Sequence, residues 1–102
     1  MRVATKGSGN VFRDLGLPNA EVLQAKADLV HQISAIIANR GLTQTDAANI
    51  LGIGQPKVSE LLHGRIGGFS MDRLMRFLGK LDHHVKITVR PKTKREPSVV
   101  VE

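Results

Sequence analysis

A chain of 102 residues with 15 Lys and Arg against 9 Asp and Glu carries a formal net charge of +6, which favours polyanionic partners through counterion release. It is long enough for one small helical core, and without a cysteine it can build neither a disulfide framework nor a thiolate metal site. Three Phe with no Tyr or Trp leave almost no platform for stacking single-stranded bases; no apolar run approaches the roughly 20 residues of a membrane span, and the N-terminus lacks the apolar core of a secretory signal, so a cytoplasmic protein is expected.

Residues 1 to about 10 are basic and contain Gly and Ser without an apolar period, which predicts a flexible arm. Val11, Phe12, Leu15 and Leu17 then supply enough apolar surface for an extended or one-turn segment to pack down. Asn19 is the expected N-cap of a long helix over residues 20–40, with Glu21 in the first turn where the helix dipole favours an acid. Its stripe runs through Leu23, Ala27, Val30, Ile33 or Ser34, and Ile37, widened by Leu29, Ile36 and Ala38; that width is core-facing. Gly41 is suited to the position just past the helix end.

Thr43 begins the next helix as its N-cap, with Asp46 three residues on in a weak form of the capping box. Residues 44–51 present Ala47, Ala48, Ile50 and Leu51 as an apolar face. Gly52 suits a left-handed turn, Ile53 is the expected buried plug, and Gly54 opens a further helix over residues 55–63. Pro56 sits in its first turn, where a missing N–H costs nothing. Val58, Leu61 and Leu62 recur at helical spacing and are expected to face inward, leaving Gln55, Lys57, Ser59, Glu60 and His63 outside.

A loop with Gly67 and Gly68 leads to Ser70, the expected cap of a fourth helix over residues 71–81. Asp72 lies in its first turn, Leu74, Phe77, Leu78 and Leu81 form its core face, and Phe69 and Met71 staple its start. The period then changes from helical to alternating over residues 84–90, with Val85, Ile87 and Val89 on one face and Pro91 as the stop. One strand needs a partner for its backbone. Two are open to it: the N-terminal segment, or the same strand of a second subunit in a two-fold antiparallel ribbon. Residues 92–102 read as a tail. The chain thus divides into an arm and packed segment (1–18), a helical domain (19–82), a strand (83–91) and the tail.

Two short helices joined at Gly52 have the spacing of a helix-turn-helix, whose second helix is shaped to enter a DNA major groove. Base-edge chemistry fits the outward residues. Gln55 can bind adenine N6 and N7 together, Glu60 can accept from cytosine N4, Ser59 suits either kind of base, Lys57 suits guanine or phosphate, and Pro56 offers apolar contact to a thymine methyl. The bland alternative is a solvated helix face. Thr43, Gln44, Arg40, His63 and Arg65 are candidate phosphate contacts around that face, Thr43 serving as cap too and His63 also suiting the C-terminal end of a helix dipole. Glu60 repels phosphate while permitting cytosine readout. His31, His63, His83 and His84 lack the spacing of a zinc helix. No nucleophile elbow, phosphate-cradling loop or acid–base pair is present, so no cofactor, metal or catalytic activity is expected.

Thr43-Gln44, the Ala47-Ala48 pair, Gly52-Ile53, Val58-Ser59 and Leu61-Leu62 through Gly64 resemble the lambda-repressor-like, or Xre-type, helix-turn-helix family. The flanking stretches DLGLPNAEVLQAKADLV and FSMDRLMRFLGKLDHHVKITVRP resemble its HigA-type antitoxin branch. The resemblance implies a mostly helical compact bundle, a backbone-binding role for Gln44, and a homodimer through the strands bearing Val85, Ile87 and Val89. Such a dimer places two recognition helices about 34 Å apart, one turn of double-stranded DNA. It further implies repression of the protein's own operon and neutralisation of a ribonuclease toxin. A repressor of the same family without a toxin is the alternative. Gly54 departs from the Ser or Thr often found at this N-cap, a weaker but accepted cap.

Overall fold

The computed structural model describes residues 19–91 and the backbone of residues 99–101. The arm, the apolar segment at 11–17 and residues 92–98 lie outside the described residues. Among the described residues four helices appear in chain order: α1 (Ala20–Asn39), α2 (Gln44–Leu51), α3 (Gln55–Leu62) and α4 (Met71–Lys80), with a 3-10 turn at Ile66–Gly68. A two-stranded ribbon follows, β1 (Ile87–Val89) and β2 (Val99–Val101). The chain is mostly helical, as its periodicity predicts.

The helix ends show why these segments form. Thr43 and Asp46 complete the capping box: the Asp46 N–H donates to Thr43 Oγ1 at 3.0 Å and the Thr43 N–H to Asp46 Oδ2 at 3.1 Å. Ser70 Oγ accepts from the Arg73 N–H at 3.1 Å. At the other ends, α1, α3 and α4 close with the same paired bonds. Leu42 and Gly41 donate to Ile37 and Ala38, Arg65 and Gly64 to Glu60 and Leu61, and His83 and Asp82 to Leu78 and Gly79. Each closure puts one residue in left-handed backbone: Gly41, Gly64 and Asp82. Asp82 takes that conformation, at φ 63°, with a side chain that disfavours it.

Asn19 behaves otherwise than expected. It occupies the N-cap position of α1 with left-handed backbone, φ 57°, and its side chain makes no capping bond. A cap needs extended backbone to aim its oxygen at the first turn, and Asn19 is turned away from it.

One core joins the helices. Leu29, Ile33, Leu51, Val58, Leu61, Phe69, Leu74 and Leu81 are almost fully buried. Phe69 meets Phe77 edge to face, ring centroids 6.0 Å apart, a favoured aromatic arrangement. The buried stripe of α1 runs through Ala25, Leu29, Val30, Ile33, Ile36 and Ile37; Val30, Ile33 and Ile37 of the expected line are in it, while Leu23 is only half-buried. Ala27 and Ser34 are only half-buried, because they border an open groove with Leu62 and Ile66. Ala38 is exposed.

The strand region departs most from expectation. β1 pairs antiparallel with β2 of the same chain, in the register Ile87 with Val101, Thr88 with Val100 and Val89 with Val99. β2 in turn runs beside α1. Residues 99–101, read as tail, are thus a pairing partner of the strand that was not among the two weighed from sequence. Only three residues per strand pair, a signal too short to stand out as a period. Val85 lies outside β1 and packs half-buried on the helical core. Ile87 and Val89 remain 43% and 80% exposed.

Candidate nucleic-acid interface

The site is built by the turn between α2 and α3. Gly52 ends α2 at φ 71°, ψ 33°, a left-handed conformation that glycine adopts without a steric penalty. Its N–H and that of Ile53 both donate to the Ala48 carbonyl, at 2.9 and 3.1 Å, so the chain reverses in three residues. Ile53 packs half-buried on the core. Gly54 is extended, φ −73° and ψ 153°, with Pro56 in the first turn of α3. Ordinary residues adopt that conformation too.

Val58 and Leu61 are completely buried and fix which face of α3 looks outward. Leu62 is only half-buried and faces the groove beside α1 rather than the core centre. On the outward side, Pro56, Ser59, Glu60 and His63 follow the i, i+3, i+4, i+7 spacing of one helix face. With Arg65 they line one shallow groove. Gln55, Pro56, Lys57, His63 and Arg65 are exposed, while Ser59 and Glu60 are half-buried.

The polar side chains have defined partners. Lys57 Nζ lies 3.5 Å from Glu60 Oε2 and 5.8 Å from the centroid of the Phe69 ring. The ion pair is exposed and weak, so phosphate can replace Glu60 as the lysine's partner. His63 Nδ1 is 2.7 Å from the Ser59 carbonyl oxygen, which makes that nitrogen a donor and leaves Nε2 toward solvent. Thr43 Oγ1 accepts within the capping box. The box holds the Asp46 carboxyl below its ordinary range, chiefly through the Thr43 N–H and then through the Thr43 hydroxyl. Gln44 is half-buried at the first position of α2.

Arg40 is drawn elsewhere. Its guanidinium donates to the Leu81 carbonyl at the end of α4, a bond that ties α1 to α4 and uses one of its five N–H donors. Two cations escaped the sequence reading. Arg73 lies 5.3 Å from the Phe69 centroid and 5.6 Å from that of Phe77. Lys80 Nζ donates to the Leu51 carbonyl at 3.0 Å. A basic residue in the last turn of a helix is a visible signal, but its acceptor on a different helix is not.

Among the described residues, no group of three or more His, Asp or Glu side chains is arranged to hold a metal ion. No described helix is long and apolar enough to cross a membrane.

Two fully buried anchors under a polar, groove-lining face, joined to a capped helix by a left-handed turn, define a helix-turn-helix domain. The model of a family described as a helix-turn-helix domain matches residues 11–90. A solved structure assigned to the XRE family of transcriptional regulators is 44% identical, with a TM-score of 0.70; the match covers 76% of this chain and 86% of that one. No curated protein matches the chain. The chain belongs to the Xre-type helix-turn-helix family, a class of DNA-binding transcriptional regulators.

Proposed function

We propose that the protein is a dimeric repressor that binds a specific double-stranded operator, represses its own operon and neutralises a ribonuclease toxin. The observation that carries operator binding is the outward face of α3. Pro56, Ser59 and Glu60 share one shallow groove with His63 and Arg65, and Gln55 and Lys57 flank its N-terminal end. That arrangement supports base reading beside phosphate binding. Lys57 and Arg65 supply charge, while Gln55, Ser59 and Glu60 supply hydrogen-bonding specificity. Thr43 and Gln44 stand at the start of α2, where a helix N-terminus favours phosphate. Repression follows from occupancy of a promoter, so the protein acts in the cytoplasm without catalysis.

The exposed Ile87 and Val89 on the ribbon support the dimer, because a second copy can cover them. Ile87→Lys with Val89→Lys is expected to leave a monomer in sedimentation equilibrium. An unchanged mass would remove the ribbon from the interface. The toxin reading rests on the resemblance of the stretches flanking the motif to HigA-type antitoxins. A ribonuclease-sized reading frame beside the gene, whose product co-purifies with this protein, is its test; without one, the toxin-free repressor of the same family is the better description.

The deciding experiment compares binding to the duplex upstream of the gene with binding to a scrambled duplex over a range of salt. Tight, selective binding that is lost in Gln55→Ala with Lys57→Ala is expected. Equal and steeply salt-dependent binding to both duplexes would reduce the interaction to charge and overturn operator recognition.

A further inference from the structure

We infer that Lys80, on the last turn of α4, is a positioning residue for operator recognition: it holds the end of α2 and the turn that aims α3. The inference rests on the operator reading above. Lys80 Nζ reaches 29 positions back along the chain to donate to the carbonyl of Leu51, the last residue of α2, at 3.0 Å. Carbonyls at a helix C-terminus lack intrahelical partners and carry partial negative charge. An ammonium there serves both needs with a charge-assisted hydrogen bond.

The same nitrogen fills the niche beside the turn. A Cβ built on Gly52 would lie 3.1 Å from Lys80 Nζ. Gly52 therefore provides two things, a left-handed backbone and the room in which the ammonium sits. The turn's own main-chain bonds converge on one acceptor, the Ala48 carbonyl. The Leu51 carbonyl is secured from outside by α4. α4 is itself anchored, through Leu74, Phe77 and Leu78, in the core that α3 enters with Val58 and Leu61. Lys80 thereby fixes the end of α2 to the body that carries α3. A small change in the turn re-aims every side chain on the outward face of α3, and a protein whose competent pose is only partly populated loses affinity by that fraction.

The test compares Lys80→Met, Lys80→Arg and Ser70→Ala. The last variant removes the α4 cap far from the turn and serves as a stability control. Lys80→Met is expected to weaken operator binding by about tenfold, the scale of one charge-assisted bond. Binding to the scrambled duplex and the slope of affinity against salt should stay unchanged, and Lys80→Arg should restore most of the operator affinity. Amide exchange at Gly52 and Ile53 should accelerate in Lys80→Met and not in Ser70→Ala. Equal loss on both duplexes with a shallower salt slope would make Lys80 a phosphate contact and overturn the inference. So would unchanged operator affinity with only a lowered melting temperature. If the wild-type chain shows no operator preference, the operator reading fails by itself; the exchange rates then decide alone whether Lys80 holds the turn.

Discussion

The helix-turn-helix and the β-ribbon of this protein are secured by different means. The two motif helices have eight residues each, too few to be stable alone. Yet their ends are served by the Thr43–Asp46 box, the Gly52 turn, the Lys80 ammonium and the Gly64 closure, and their inward residues Ala47, Leu51, Val58 and Leu61 are buried. The ribbon has three pairs of residues, leans on α1 and leaves Ile87 and Val89 in solvent. A ribbon of two short strands is marginal without something to pack on. The element whose orientation must be fixed for reading DNA is over-determined, while the element that keeps apolar surface in reserve is held by little.

The contrast can be broken by mutation, and the largest effect belongs to the motif. Leu61→Ala removes a fully buried side chain and should cost about 2–5 kcal/mol in denaturant unfolding, whereas Val89→Ala should stay within about 0.5 kcal/mol for the monomer. A comparable loss at both positions would erase the distinction. Thr43→Ala takes away the capping box and should cost about 1 kcal/mol, read as a shift in denaturant midpoint at constant slope. Asp82→Gly relieves the left-handed strain at the end of α4 and should raise stability by about 0.5 kcal/mol by thermal melting.

Acid sharpens the comparison with the smallest effect. Asp46 has a folded-state pKa below its ordinary 3.8, so its contribution is present above that value and fades as pH falls through the lower folded one. Asp28 on α1 is the opposite case. Burial raises its pKa, against the lowering effects of the Gln24 hydrogen bond and the His31 charge. The stability linked to Asp28 is therefore present below 3.8 and lost as pH rises through its folded value. Melting curves from pH 2.5 to 6 should show a shallower acid loss for Asp46→Asn. For Asp28→Asn, they should show a higher melting temperature at the upper end. If both variants track the wild type, neither carboxyl is linked to folding.

The fold was legible chiefly where its cause is local. Thr43, Ser70, Gly41 and Gly52 act through bonds a few residues away, and the helices begin and end within one residue of the sequence reading. The anchors Val58, Leu61, Leu74, Phe77 and Leu78 follow from period alone. What failed is mostly non-local, the unused Asn19 cap being the local exception. Which face of α1 is buried depends on α3, α4 and β2 packing around it, so Ala27 was overvalued as core and Ala25 missed. The partner of β1 lay in a three-valine run with no period to betray it. Arg40 was read as a candidate phosphate contact, and its bond to the Leu81 carbonyl on α4 was not visible from the sequence around it. Of the candidate DNA residues, sequence found the exposed face; it did not find that Lys57 leans on Glu60 and Phe69, because Phe69 arrives from a different segment.

The bond from Arg40 to Leu81 joins positions 41 apart, and α1 packs along α4. Everything between those ends, including both motif helices, is enclosed in one clasped loop, with the ribbon outside it. The ribbon's three residue pairs lie outside that span, so opening them leaves the Arg40–Leu81 bond in place, whereas withdrawing α3 exposes Val58 and Leu61, which are completely buried. Separating the strands is therefore the smaller step.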